Sequence, residues 1–211
     1  MVTLSHAGYV KRTDLSAFSN VRQSGLIALG IEDGDVLVGV KITDGTKDVL
    51  LSTAQGMSIR FAEEEVRSMG RAAYGVKGIT LDADDAVVGA EVVDKGATIL
   101  TVTENGYGKR TEEAEYRVQG RGGKGIIDIK TSDRNGKVVN LLAVSDDDEV
   151  MLITKDGQIV RTKVSEISVV GRNTQGVRCI ALNEGDKLVS VARIPREEPE
   201  STEVAPAAEK K

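Results

Sequence analysis

A period of about fifty residues runs through the chain and limits its architecture more than any single motif does. A glycine ahead of a strand-like stretch that ends in a cation recurs in AGYVKR at Gly8, QGMSIR at Gly56, NGYGKR at Gly106 and DGQIVR at Gly157, in steps of 48, 50 and 51. A glycine ahead of an apolar stretch recurs at Gly25, Gly75, Gly125 and Gly176. LVGV, VVGA, VVNL and LVSV keep the same phase around Gly39, Gly89, Asn140 and Ser190, and VLLST, ILTVT and VMLIT follow it from Val49, Ile99 and Val150. Each unit reads as strand, loop, strand, acidic turn, strand, turn, strand. Four strands per fifty residues is the size of a propeller blade. VMLIT has no counterpart after LVSVARI, and the chain opens ahead of Gly8 without one. The last blade is therefore expected to be completed by a strand from elsewhere, through meeting ends or a neighbouring segment.

Composition agrees with short strands and tight turns. The 211 residues hold 23 glycines, only 3 prolines and 40% hydrophobic residues, enough to bury a sizeable core as one large all-β domain or two small ones. No stretch approaches the roughly 18 consecutive apolar residues of a membrane span, and MVTLSHAGYVKR lacks a signal peptide's apolar run, so a cytoplasmic chain with no membrane partner is expected. Cys179, the single cysteine, excludes an internal disulfide and sits in the apolar run VRCIAL as a buried structural thiol. All three prolines fall in residues 195–211, which carry charges of both signs and no apolar period. This segment is expected to be a disordered acidic tail after a body spanning 1–194, whose repeats run about 5–53, 54–103, 104–154 and 155–194.

The net charge of -5 argues against a polyanion partner until the cations are placed in phase. One cationic phase ends the strand after the first glycine, at Lys11 and Arg12, Arg60, Lys109 and Arg110, and Arg161. The other precedes the second glycine, at Arg22, Arg71, Arg121 and Arg172. In a wheel-shaped repeat equal phases form one circumferential band, so an acidic protein can still present a basic rim. Glycines at 70, 120, 122 and 171 flank the second phase and let backbone approach a phosphate chain. Aromatic content of 3% is thin for stacking single strands, so duplex backbone fits better. The acidic turns at 32–35, 82–85 and 183–186 lack the spacing of a calcium loop and read as hairpin turns.

Nothing points to catalysis, a cofactor, a metal or a small-molecule substrate. His6, the only histidine, has no partner pattern around it, and GRGGKG departs from the spacing of a nucleotide-binding GxxxxGK[ST] loop. A propeller-like protein-interaction module is the alternative to a nucleic-acid binder.

The units GYGKRTEEAEYRVQGRGGKGI and GQIVRTKVSEISVVGRNTQGVRCI resemble blades of the C-terminal domain of bacterial DNA gyrase A, with the matching domain of topoisomerase IV as a close relative. The resemblance covers about residues 5–194 and implies an all-β fold, a β-pinwheel of about four four-stranded blades that exchange strands between neighbours. It implies sequence-nonspecific binding and bending or wrapping of double-stranded DNA in support of negative supercoiling. The chain would be no enzyme by itself, the cleavage tyrosine and ATPase lying outside it. Its protein partners would be the cleavage domain of gyrase A and, through it, gyrase B, in the bacterial cytoplasm at the nucleoid. Gln119, Arg121, Gly122, Gly123, Lys124 and Gly125 resemble the family's glycine-rich box, with Gly120 where a cation is usual. The implied DNA contacts are this box with Lys109, Arg110, Arg22, Arg71 and Arg172, joined by Arg60 and Arg161.

Overall fold

The computed structural model describes residues 1–194; the tail expected over 195–211 lies outside the described residues. Fifteen strands appear there, with four single turns of 3-10 helix among them. The first six are β1 (Val2–Ser5), β2 (Tyr9–Arg12), β3 (Leu37–Lys41), β4 (Asp48–Thr53), β5 (Met57–Ala62) and β6 (Val76–Lys77). Then come β7 (Val87–Val93), β8 (Thr98–Thr103), β9 (Tyr107–Glu112), β10 (Ile126–Ile127) and β11 (Val138–Val144). The last are β12 (Glu149–Thr154), β13 (Ile159–Lys163), β14 (Val177–Arg178) and β15 (Leu188–Ile194).

Every unit is built on a tight hairpin whose chemistry is written in the sequence. Thr53 closes β4, and its carbonyl accepts the Gly56 amide at 3.0 Å while its hydroxyl accepts the Met57 amide at 3.1 Å. Ser5 with Gly8 and Thr154 with Gly157 repeat that pair of bonds. These glycines hold φ between 84° and 88°, a region side chains avoid, which is why Ser/Thr-x-x-Gly recurs.

Pairing around these hairpins gives sheets β3-β1-β2-β6, β7-β4-β5-β10 and β11-β8-β9-β14, and a three-stranded sheet β15-β12-β13. The outermost strand of each four-stranded sheet comes from the following unit: β6 on β2, β10 on β5, β14 on β9. Strand exchange is thus present, and four blades form a propeller-like arrangement. The fourth blade has three strands among the described residues, not the expected four. The innermost strands β3, β7, β11 and β15 pack in series.

Two expectations change. β1 is a copy of VMLIT after all; its Thr and Ser obscure the likeness, yet all four residues are buried between β2 and β3. The acidic turns are not hairpins. Two lie on the crossover that returns from an exchanged strand to the innermost strand of its own blade, 82–85 between β6 and β7 and 183–186 between β14 and β15, while 32–35 leads into β3. Their last aspartates latch a neighbouring hairpin: Asp85 accepts the Gln55 and Ala86 amides at 2.9 and 2.8 Å, and Asp35 and Asp186 do the same at theirs.

The core lies between blades. Val10, Leu51, Ile59, Phe61 and Ile79 form one cluster from the first two units, Leu50, Ile99, Tyr116 and Leu141 another, and Leu100, Leu152, Val164 and Val191 a third in the last two. Burying each such side chain stabilises by about 1.5–3 kcal/mol.

Candidate nucleic-acid interface

The loop joining each hairpin to its exchanged strand carries the cations, and hydrogen bonds tie the loops of the third and fourth units to the segment that follows the preceding exchanged strand. The Gly122 amide donates to the Gly78 carbonyl at 2.6 Å, and the Thr80 amide and hydroxyl donate to the Gly123 and Gly122 carbonyls at 2.9 and 2.7 Å. One blade further on, the Lys130 amide donates to the Thr174 carbonyl at 2.8 Å. The loops therefore follow one another along a band, each beside the exchange segment of the unit before.

Within the band the arginines share one arrangement. Arg71 donates to the Ile27 carbonyl at 3.3 Å, Arg121 to the Lys77 carbonyl at 3.1 Å and Arg172 to the Ile127 carbonyl at 2.6 Å. Ile27, Lys77 and Ile127 each stand two residues after the second glycine, so every arginine braces the preceding unit's exchange segment. Glu65 and Glu115 accept the amides of Arg121 and Arg172 at 3.0 and 3.1 Å, setting a carboxylate beside each guanidinium. The three arginines are half-buried and retain an accessible edge, whereas Arg22 is exposed. Arg22 and Arg71 line one open cleft of ≈ 720 Å³ with Ser16, Ser19 and Ser24.

In the box-like loop Lys124 is exposed and pairs with Asp82 at 2.6 Å. Gln119 joins the joint through its amide, which donates to the Arg60 carbonyl at 2.8 Å. Gly125 is structural: with φ at 78° its missing Cβ is the space filled by the Ser58 carbonyl of the neighbouring blade. Gly122 shares the positive φ, and Gly123 supplies the carbonyl that Thr80 uses.

The first cationic phase lies elsewhere. Lys109 is fully buried, with its ammonium 2.6 Å from the Thr111 hydroxyl and 3.2 Å from Asp128. Burial pulls its pKa down, and the Asp128 carboxylate works against that pull. Arg110 is buried too, donating to the Ile167 carbonyl at 2.8 Å and pairing with Asp146. Arg60 binds Asp48 at 2.9 Å and Glu113 at 2.6 Å, and donates to the Glu113 and Tyr116 carbonyls. Arg60 and Arg110 clamp the next unit's loop, Lys109 is held by Thr111 and Asp128 of its own unit, and none of the three joins the band. Arg161, in the same phase, is 63% exposed and pairs with Glu149 of its own blade.

Three features of the site are not among the residues expected from sequence. Asp128 accepts the Thr101 hydroxyl at 2.8 Å and the Tyr116 phenol at 2.6 Å besides Lys109, while its backbone amide is bonded to Gly56 of the preceding blade. Burial and the adjacent Asp128 carboxylate push the Tyr116 phenol far above its ordinary pKa. No in-phase signal marks Asp128, whose counterparts are Gly78 and Cys179. Arg67 and Arg117 are exposed, fifty residues apart on the loops, and among the described residues no ion pair is made by either. That step was the signal that could have found them. Arg134 and Arg178 sit over the Tyr107 ring at 4.9 and 5.8 Å, adding cations along the outer edge of the third blade.

Comparison with known proteins follows this geometry unit by unit. The family described as "DNA gyrase C-terminal domain, beta-propeller" matches residues 1–44, 47–94, 97–145 and 148–195. The DNA gyrase A protein of Halalkalibacterium halodurans is 58% identical over 196 residues, 93% of this chain and 24% of that protein. The gyrase A protein of Salmonella typhimurium is 48% identical over 188 residues, 89% of this chain and 21% of that protein. The chain thus spans under a quarter of these relatives. A solved DNA gyrase A C-terminal domain superposes with a TM-score of 0.84 at 29% identity, covering 92% of this chain and 65% of that one. For the C-terminal domain of DNA topoisomerase IV the TM-score is 0.86 at 26% identity, covering 92% and 61%.

Proposed function

The chain belongs to the DNA gyrase C-terminal domain family, and from that premise we propose that it binds duplex DNA along its loop band and bends or wraps it, without reading base sequence. The observation that carries this reading is the band itself: Arg22, Arg71, Arg121 and Arg172 at one phase, with Lys124, Arg67 and Arg117 beside them. Guanidinium edges and loop amides suit phosphate oxygens, which position a duplex without specifying it. Bending 20–30 bp by 40–90° costs on the order of 1–6 kcal/mol, so contacts must recur from blade to blade to offset it. The band meets that need because each blade repeats its arginine. In this reading the chain presents a curved DNA segment to the cleavage domain of gyrase A and, through it, to gyrase B, at the nucleoid of a bacterial cytoplasm. Cleavage and ATP turnover are assigned to those partners, and no cofactor or metal is required here.

The test is a salt titration of binding to unrelated duplexes. Affinity is expected to fall with a logarithmic slope of about 0.9 per neutralised phosphate, equally for each sequence. A flat salt response sinks the reading. Bracing of Arg71, Arg121 and Arg172 on carbonyls favours a second reading, a protein-docking face, which capture of a protein partner with no DNA binding at low salt would support.

A further inference from the structure

The arginines of the band stand in loops of one design, yet two of those loops already hold an anion and one does not. In the third and fourth units the carboxylate comes from the preceding unit's 3-10 turn. Glu65 ends the turn Glu63–Glu65 and Glu115 ends the turn Glu113–Glu115, each nine residues after its hairpin glycine, Gly56 or Gly106. Glu65 Oε2 accepts the Arg121 amide at 3.0 Å, and Arg121 Nε donates to the Glu65 carbonyl at 3.1 Å. Glu115 Oε2 accepts the Arg172 amide at 3.1 Å and lies 3.9 Å from Arg172 Nε, a buried donor with no hydrogen-bond partner.

The second unit's loop lacks this partner. Nine residues after Gly8 stands Ala17, inside the turn Leu15–Phe18, and among the described residues no carboxylate accepts the Arg71 amide. The glycine ahead of each arginine records the difference. A Cβ on Gly120 or Gly171 would lie 3.9 or 3.7 Å from Oε2 of Glu65 or Glu115, whereas a Cβ on Gly70 would meet nothing within 4 Å. Backbone and arginine are thus arranged alike in the three loops, and the residue at one position of the preceding turn decides whether a negative charge is already there.

A backbone N–H beside a guanidinium is a donor set that suits a phosphate oxygen, and a carboxylate in the same place satisfies it with the same sign of charge. Glu65 and Glu115 are both exposed, and a contact so exposed is weak enough for a second anion to displace. We propose that these two glutamates occupy phosphate positions of the band, so that a duplex must displace them at Arg121 and Arg172 but meets no such competitor at Arg71. The inference rests on the proposed binding of duplex DNA along the loops and adds an inequality to it. The second unit grips the backbone most readily, and Glu65 and Glu115 set how tightly the third and fourth follow.

Duplex binding by the full chain at about 0.15 M salt tests this, since exposed charges more than about 8 Å apart are largely screened there. Glu65→Gln with Glu115→Gln keeps an oxygen that can accept each amide and removes the charge. Affinity should rise about two- to fivefold for each carboxylate removed, whereas loss of a purely bracing contact would give no gain. Ala17→Glu, which sets a carboxylate ahead of Arg71, should weaken binding by a similar factor of about two to five. Glu64→Gln is the control: Glu64 is exposed on the same turn and among the described residues makes no bond to the loop, so affinity should stay within about 1.5-fold. Circular dichroism checks that each variant is folded, and Ala17→Glu, at an exposed position of another unit, keeps the test decisive if the glutamine pair disturbs its loops. A folded Glu65→Gln/Glu115→Gln chain that binds no tighter, a Glu64→Gln chain that gains as much, or an Ala17→Glu chain of unchanged affinity overturns the inference. In each of those outcomes the wild type still binds and the duplex reading stands; a wild type that binds no duplex even at low salt removes both.

Discussion

At residue scale the joint between the second and third blades depends on Asp128. Its carboxylate accepts from a threonine, a tyrosine and a buried lysine, while its backbone is bonded to the other blade. Removing one partner of a buried pair leaves the other charge without compensation, so Asp128→Ala is expected to cost about 3–5 kcal/mol, read by urea denaturation. Cys179, at the equivalent position of the next joint, is half-buried. Burial pushes its thiol up to about 11, so at pH 8 the folded chain should carry a thiolate fraction roughly 200-fold below that of an unfolded thiol at about 8.5. Native labelling by a thiol reagent should be correspondingly slow and become fast in denaturant. The apolar neighbours of Cys179 led to the expectation of a buried thiol, which is only half met, and the sequence concealed Lys109, because phase tells which residues are equivalent and not which side of a strand the next unit will cover. Lys109 and Arg110 read as rim cations for that reason; the exchanged loop encloses them. Asp128 was silent because its role has no repeat.

At the scale of elements, the hairpins were legible because Ser/Thr-x-x-Gly performs one backbone task at each of three turns. The two-residue exchanged strands β6, β10 and β14 were not legible from pattern, being too short to show alternation. Their glycines were visible, and these are what the joint needs. Gly125→Ala should destabilise by at least about 1–2 kcal/mol, the cost of a side chain in left-handed backbone, with more from collision with the Ser58 carbonyl. The equivalent change at Gly25, where no carbonyl stands, should cost the strain alone; equal losses at both sites would show that the close approach contributes nothing.

For the molecule as a whole, charge separates into a part that binds blades together and a part that faces outward. Arg60, Arg110 and Lys109 belong to the first, Arg67 and Arg117 to the second. Arg67→Ala with Arg117→Ala is therefore expected to leave stability within about 0.5 kcal/mol. It should lower the salt slope of DNA binding by up to about 1.8, two phosphates at 0.9 each. Arg121→Ala should lower both affinity and stability, since Arg121 also braces the Lys77 carbonyl. Strand exchange has one more outcome, in the order of synthesis. The second blade opens at Asp48 and is finished only when Ile127 arrives from the unit after it. At roughly 5–20 residues per second, the fifty residues of a repeat take about 3–10 s to emerge. A growing chain thus always trails one incomplete sheet behind the ribosome, its edge open for seconds until the next unit closes it.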